Sequence, residues 1–180
     1  MITININNKE IIINPKTLCG FVDLTSLCDF DVEIIICFDN KIEGFIGVPD
    51  SLINLNCSCN KITNLNNFNS QLKILNCAGN LITSLDNLPS NLKKLNCSFN
   101  KLNSLDKLPE SLDELDCSSN LIISLDNLPT GLKILYCESN KIIELNNLPT
   151  SITELYFHNN SIKKIKSNLP CLTIMNNNYI

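Results

Sequence analysis

The sequence lacks arginine and tryptophan, has a single histidine, and contains no apolar run near the roughly 20 residues that span a bilayer. All 14 basic residues are lysines, and 18 acidic residues outnumber them, which gives a net charge of −4. This balance argues against a basic surface that follows nucleic-acid phosphates. We therefore expect neither a nucleic acid nor a membrane among the partners.

The start of the chain, MITININNKEIIINP, lacks the charged and then apolar regions of a secretory signal peptide. The chain has 10 cysteines, but disulfide frameworks belong to short secreted chains with irregular cysteine spacing. Here the cysteine spacing is regular. We expect a soluble, intracellular protein with reduced thiols.

One six-residue pattern returns every 20 residues, as LNCSCN, LNCAGN, LNCSFN, LDCSSN and LYCESN. Its cysteines form a column at Cys37, Cys57, Cys77, Cys97, Cys117 and Cys137, which Phe157 closes. Its asparagines form a second column at Asn40, Asn60, Asn80, Asn100, Asn120, Asn140 and Asn160. The same 20-residue offset predicts that Met175 aligns with Leu155. A fixed period of this length is typical of a solenoid, in which each repeat forms one coil.

The pattern LxxLxCxxNxL predicts the path of each coil. Its Leu and Cys lie two residues apart, so both side chains point to the same face of a short strand, towards the core. The asparagine follows where the chain turns, and its amide can bind backbone groups that the turn leaves unpaired. About nine residues remain for the return leg, and the proline near its end favours extended geometry with at most one turn of 3-10 helix.

These residues resemble a leucine-rich repeat, LxxLxLxxNxL, with Cys in place of the third Leu. The 20-residue length and the LPxxLxxL junction are most similar to the short bacterial-type class of effector proteins that enteric pathogens deliver into host cells. The sequence departs from that class in Leu125-Asp126-Asn127-Leu128-Pro129, where a first Pro is common, and it lacks the ubiquitin-ligase domain of many such effectors. Its excess of asparagine and isoleucine also resembles leucine-rich repeat proteins of amoeba-infecting giant viruses, which would place it in the host cytoplasm.

The resemblance implies an α/β horseshoe-type solenoid with a parallel β-sheet on the concave face, an extended or 3-10 convex side and little α-helix. We expect the solenoid over residues 32–180, as about seven repeats and a partial terminal repeat. Residues 1–31 would form an N-terminal cap, with a β-hairpin around Asn7-Asn8-Lys9 and a short helix or turn from Thr17 to Leu27, where the helical spacing is weak. At the other end Asn177 breaks the apolar cysteine column, so the predicted monomer could form an end-to-end dimer there.

The sequence offers little support for catalysis or metal binding. Buried cysteine acts as a small, inert apolar residue. We expect Cys57 to point inward and Cys59 to lie near the strand edge, whereas zinc needs four converging ligands. Ser118, Glu138 and His158 should be neighbours on successive strands, but a hydrolytic triad needs the imidazole in the middle. We therefore predict no catalytic residue, no metal, no cofactor and no enzymatic activity.

The remaining candidate is the face that alternation turns away from the core. Its tyrosines offer rigid contact area with a polar tip, as at binding hot spots, although they could simply pack as cross-strand partners. We expect a non-catalytic interaction module that binds a protein partner through this concave face, with structural self-association through the C-terminal end as the alternative. The candidate binding residues are Asn76, Lys94, Asn96, Glu114, Asp116, Ile134, Tyr136, Glu154, Tyr156 and His158.

Overall fold

Short β-strands joined by turns make up the part of the chain that the computed structural model describes, namely residues 2–5, 10–13, 16–66, 68, 71–165 and 173–174. The strands are β1 (Ile2–Asn5), β2 (Glu10–Ile13), β3 (Cys19–Asp23), β4 (Ile34–Ile36), β5 (Lys41–Ile46), β6 (Asn54–Asn56), β7 (Ile74–Asn76), β8 (Lys94–Asn96), β9 (Glu114–Asp116), β10 (Ile134–Tyr136), β11 (Glu144–Leu145), β12 (Glu154–Tyr156), β13 (Lys164–Ile165) and β14 (Thr173–Ile174). The helical content of these residues is one turn of 3-10 helix, Thr25–Leu27. None of the described segments is a helix long and apolar enough to cross a bilayer.

Ten strands form one sheet in the order β1-β2-β4-β6-β7-β8-β9-β10-β12-β14. All neighbouring pairs are parallel except β1 and β2. From β4 to β12 the paired residues are 20 apart, as in Leu75 with Leu95 and Leu95 with Leu115. The repeats therefore stack in register as coils of a parallel solenoid, which confirms the predicted fold class.

Each three-residue strand buries its middle leucine or isoleucine and leaves its two flanking residues at least partly exposed. The cysteine two positions after each buried leucine points into the same core, and all six cysteines of the column are 0% exposed. The leucines of the return legs complete one continuous hydrophobic cluster. Because fully burying such a side chain contributes about 1.5–3 kcal/mol, the repeated column is the main source of stability.

The asparagine column braces the turns as predicted. In Asn60, Nδ2 donates to the carbonyl oxygens of Cys37 (3.0 Å), Cys57 (3.0 Å) and Ser58 (3.1 Å). Its Oδ1 accepts from the backbone N–H of Ile42 at 2.9 Å. One amide thus links two successive coils, and Asn80, Asn100, Asn120 and Asn140 repeat this pattern.

Between Thr17 and Leu27, where we predicted a short helix or turn, the chain forms a strand and then a single turn of 3-10 helix. The segment contains β3, which pairs in parallel with β5, and helical geometry is limited to Thr25–Leu27. Pairing with β5 gives the backbone of this segment hydrogen-bond partners that its weak helical pattern could not supply, and Gly20 adopts a left-handed φ of 70°. β1 and β2 pair antiparallel, while the hairpin turn at Asn7 to Lys9 lies outside the described residues. β2 also joins β4, so the parallel ladder starts before Val32.

The last described coil departs from the 20-residue period. β12 and β14 pair Leu155 with Ile174, an offset of 19, so the predicted alignment of Met175 with Leu155 is wrong. Pro170 follows Pro149 by 21 residues instead of 20, so the spacing of the repeat changes within this coil. The position predicted for Asn177 lies outside the described residues.

The return legs are extended, but the turn of 3-10 helix that we allowed there is absent from all of them that the structure describes. Each of four legs instead turns at a residue with positive φ, namely Asn87, Lys107, Asn127 and Asn147. Each following proline accepts a hydrogen bond from the amide three residues later, as in Leu92 N–H to Pro89 O at 3.2 Å. The proline therefore opens a turn into the next strand.

Candidate functional site

The candidate site lies on the solvent-facing side of the ten-stranded sheet, which we call the open face. The outer residues of β7 to β10 and β12 point to it because the middle residue of each strand points into the core. Of the ten predicted site residues, Lys94 is exposed and the other nine are half-buried. The register places Tyr136 between Asp116 and Tyr156, and Ile134 between Glu114 and Glu154.

Tyr136 and Tyr156 form a stacked pair on the open face. Their ring centroids are 4.5 Å apart and their planes differ by 11°. The Tyr156 hydroxyl donates to Glu154 Oε2 at 3.2 Å. Since Tyr156 covers one face of the Tyr136 ring, the opposite ring face is turned towards β9. The two rings thus form a rigid aromatic block with one side available.

A shallow depression of about 280 Å³ lies directly beside this block. Its lining residues are Ile74, Leu75, Asn76, Lys94, Leu95, Asn96, Glu114, Asp116 and Tyr136. Six of the ten predicted residues meet here, whereas Ile134, Glu154, Tyr156 and His158 lie outside its lining. The floor of the depression has both polar and apolar parts, because Leu75 and Leu95 lie between the outward side chains of β7 and β8, and Tyr136 forms an aromatic wall. This arrangement can hold one side chain of a partner.

The amide groups on this floor have a defined orientation. Asn76 Oδ1 accepts the backbone N–H of Ala78 at 3.1 Å, and Asn96 Oδ1 accepts that of Ser98 at 3.0 Å. A backbone N–H can only donate, so the amide oxygen must face it and the NH₂ group is directed away. Asn76 and Asn96 thereby offer donors to a ligand.

Carboxylates dominate the charge around the tyrosines. Lys94 Nζ contacts Glu114 Oε2 at 2.7 Å, and this hydrogen bond raises the pKa of Lys94 above its usual value. Burial raises the pKa of Tyr136, and Glu154, Glu114 and the other nearby carboxylates raise it further. Within the described residues, neither Glu154 nor Asp116 forms an ion pair with a basic side chain. The open face is therefore negative around Tyr136.

Ser118, Glu138 and His158 are neighbours in the order that the repeat predicts. Ser118 Oγ donates to Glu138 Oε2 at 2.6 Å, and His158 Nδ1 lies 3.8 Å from Glu138 Oε1. The carboxylate stands in the middle, so the imidazole cannot take the serine proton directly. This row can bind and position polar groups, but it lacks the geometry of a hydrolytic triad.

The cysteine column forms a buried ladder of thiols. Burial raises the pKa of Cys37 and of Cys77 to about 12, and it raises those of the other four thiols as well. The Cys77 thiol donates to the carbonyl oxygen of Asn96 at 3.4 Å. Across the described part of the chain, no cluster of three or more His, Cys, Asp or Glu side chains is arranged to hold a metal ion.

Two exposed apolar residues near the site escaped the sequence prediction. Ile74 lines the depression. It shares its repeat position with the predicted site residues Lys94 and Glu114, and this position could have indicated it. Phe99 is 66% exposed in the turn after β8, with a φ of 53°. Gly79 and Ser119 occupy the same repeat position in the adjacent coils. A large aromatic side chain at a position that otherwise holds small residues was the signal in the sequence.

Solved leucine-rich repeat structures share this fold. YopM from Yersinia enterocolitica is 29% identical, with a TM-score of 0.68, and the match covers 80% of this chain and 37% of YopM. The leucine-rich repeat domain of a Shigella effector is 21% identical, with a TM-score of 0.73 and coverage of 88% and 72%. The functional domain of InlJ from Listeria monocytogenes, which includes a cysteine ladder, is 25% identical, with a TM-score of 0.62 and coverage of 79% and 40%.

The fold is thus that of a leucine-rich repeat solenoid, as the sequence pattern predicts. The chain spans well under half of YopM and of the InlJ domain. No model of a known protein family and no curated protein sequence matches the chain.

Proposed function

We propose that the chain is a non-catalytic interaction module that binds a protein partner through the open face. The observation that supports this most is the stacked pair of Tyr136 and Tyr156 beside the depression. Stacked rings carry little conformational entropy to lose, so their contact area is pre-organised for binding. The resemblance to leucine-rich repeat effectors also implies a protein partner.

The chain itself suggests the variant that tests this proposal. Asn56, Asn76 and Asn96 occupy the register position of the two tyrosines in earlier coils, so the double variant Tyr136→Asn/Tyr156→Asn keeps a side chain that this sheet accepts. We expect it to lose at least about 30-fold in affinity for a captured partner, as for a hot-spot deletion of about 2 kcal/mol, with an unchanged melting temperature.

Ile123→Ala/Ile143→Ala is the matched control, because it removes exposed apolar side chains from the flank of the solenoid instead of the open face. Capture would be performed from a lysate of the cells in which the protein occurs, followed by calorimetry with the purified partner. Equal affinity of the double-tyrosine variant and the native chain would move the binding site away from the open face.

A second candidate is self-association through the C-terminal end. The apolar residues at one repeat position are buried in every coil from Phe45 to Leu145. Ile165, which holds the same position in the next coil, is 52% exposed. Sedimentation velocity tests this candidate, since a concentration-independent monomer would exclude it.

The repeat class, the source and the site of action of the protein are also part of this proposal. The 20-residue offset supports the short bacterial-type repeat class, and the excess of asparagine and isoleucine supports a giant-virus source. We also propose an intracellular site of action, which the nine free thiols of the described residues support because reducing compartments favour unpaired cysteine.

A further inference from the structure

We propose that the depression on the open face binds an arginine side chain in a basic segment of the protein partner. This inference rests on the proposed function, and it names the chemistry of the partner at that site. It follows from charge, from the Tyr136 ring that lines the depression and from the orientation of the neighbouring amides.

Charge complementarity selects a cation. Four carboxylates lie around Tyr136: Glu114 and Asp116 on β9, Glu154 on β12, and Glu138 two residues after Tyr136. Burial, together with these carboxylates, raises the pKa of the Tyr136 hydroxyl. Among the described residues, one ammonium group, Lys94, is bonded to them. An acidic or purely apolar occupant would leave this excess negative charge uncompensated, whereas a basic segment neutralises it and gains in association rate.

The aromatic block selects a planar cation. Tyr156 covers one face of Tyr136, and on the side of β9 Tyr136 lines the depression. A cation within about 6 Å of such a ring is attracted by its electron-rich face, and guanidinium also stacks flat against it. Asp116 is the direct cross-strand neighbour of Tyr136, and its Oδ1 already accepts the Ser118 backbone N–H at 3.0 Å. Its second oxygen can accept an N–H from a guanidinium stacked on Tyr136.

The asparagine floor fits the backbone of the same segment. The outward NH₂ groups of Asn76 and Asn96 lie on successive strands, about 4.8 Å apart, and can donate to peptide carbonyl oxygens. A segment lying across β7 to β10 would therefore meet donors first, then the carboxylate of Asp116, and then the aromatic block. A peptide would fit this order if its backbone carbonyl groups lay over β7 and β8 and its arginine lay beside Asp116 and Tyr136.

The test uses two peptides that differ by one charged group. Acetyl-Gly-Gly-Arg-Gly-amide and the same peptide with citrulline would be titrated into the full chain and followed by NMR of the tyrosine rings. Citrulline has nearly the shape of arginine but no charge. We expect the arginine peptide to bind at least about tenfold more tightly, with an affinity that falls as salt rises.

The variant Asp116→Asn tests the role of the Asp116 carboxylate, and Asp50→Asn is the control for losing one negative charge. Asparagine already occupies the Asp116 position in three earlier coils, so the fold accepts it, while Asp50 is exposed on a return leg. Asp116→Asn should lower the preference for arginine over citrulline by severalfold, and Asp50→Asn should leave it unchanged. Equal binding of both peptides, no binding, or no effect of Asp116→Asn would overturn the inference.

This outcome is separable from the proposed function. If a captured partner depends on Tyr136 and Tyr156 but its affinity is insensitive to salt and to Asp116→Asn, the open face binds proteins and the arginine assignment is wrong. If sedimentation shows a dimer that Tyr136→Asn/Tyr156→Asn abolishes, a second copy of the chain occupies the open face and the assignment is also wrong, because this chain contains no arginine.

Discussion

Asn100 shows how one side chain closes a turn between coils. Its Nδ2 donates to the carbonyl oxygens of Cys77, Cys97 and Ser98 at 3.0–3.1 Å, and its Oδ1 accepts the Ile82 N–H at 2.9 Å. The residue is only 9% exposed, so water cannot replace these bonds. An amide is required because no other side chain of this size supplies both two donor hydrogens and an acceptor.

Replacing Asn100 by Ala should destabilise the protein by about 3 kcal/mol. The change leaves several buried backbone groups without partners, and each such group costs about 1–3 kcal/mol, partly relieved by relaxation. Urea unfolding would measure the loss. The control is Asn103→Ala, since Asn103 is exposed in the same coil and should cost little. Similar values for the two variants would show that the asparagine column does not brace the turns.

Phe99 has a backbone conformation that suits other residues better. Left-handed φ costs most residue types about 1–2 kcal/mol, whereas glycine and asparagine adopt it readily. Phe99→Asn should therefore raise the stability by about 1 kcal/mol, seen as a higher urea midpoint. If Phe99 also contacts the partner, the same variant binds more weakly although it is more stable. A lower midpoint would contradict the assigned strain.

Sequence reasoning identified the column of the bracing asparagines but not the conformation of the residue before them. Cys59, Phe99 and Ser139 all have positive φ there, although none of these residue types favours it. The hydrogen bonds of the following asparagine impose the turn regardless of the residue that precedes it. The tertiary structure overrides local preference at this position, so a propensity argument could not find it.

At the scale of the element, the cysteine ladder couples stability to pH. Unfolded thiols lose their protons near pH 9, whereas burial keeps Cys37 and Cys77 protonated to about pH 12. Between these values the folded state holds more protons, so its stability falls as the pH rises. Each such thiol contributes about 1.4 kcal/mol of loss per pH unit.

Cys77→Ala should make this fall less steep by about one proton, even though it lowers the stability at neutral pH. Urea unfolding between pH 8 and pH 10.5 gives the slope. Cys59→Ala is the control, because it removes an exposed thiol instead of a buried one. Identical slopes for Cys77→Ala and the native chain would mean that the Cys77 thiol is not buried in the folded state.

The elements were predictable wherever the 20-residue period holds. Leu75, Leu95 and Leu115 form the paired, buried column that the pattern predicts. The period carries no information about β3, because this strand depends on pairing with β5 in a non-repeating part of the chain. At β14 the changed spacing was visible in the sequence, but choosing the register requires knowing which residue meets Leu155.

For the open face, the period predicts which residues are neighbours, including Tyr136 beside Tyr156. It does not predict how side chains turn. The stacking of the rings and the depression beside them depend on rotamers, which the column pattern leaves open. Candidate residues could therefore be named from the sequence, while the shape that they form could not.

On the scale of the whole molecule, each coil contacts only its neighbours, as in other solenoids. Deleting residues 87–106 joins Asp86 to Lys107 and removes one complete coil without disturbing the period. This variant should still unfold cooperatively, with lower stability because one interface between coils is lost. Deleting only residues 87–96 shifts strand positions onto a return leg and should prevent folding. Circular dichroism and urea unfolding would distinguish the two, and equal behaviour would contradict a stacked repeat.

Thiol alkylation with a water-soluble reagent, mapped residue by residue by mass spectrometry, tests the central claim most directly. Cys57 and Cys59 are two residues apart, yet Cys57 is 0% exposed and Cys59 is exposed. In the native chain we expect rapid labelling at Cys19, Cys28 and Cys59, and labelling of the six ladder thiols only after unfolding. Labelling of Cys57 or Cys97 at the rate of Cys59 under native conditions would contradict the buried ladder and the solenoid built on it.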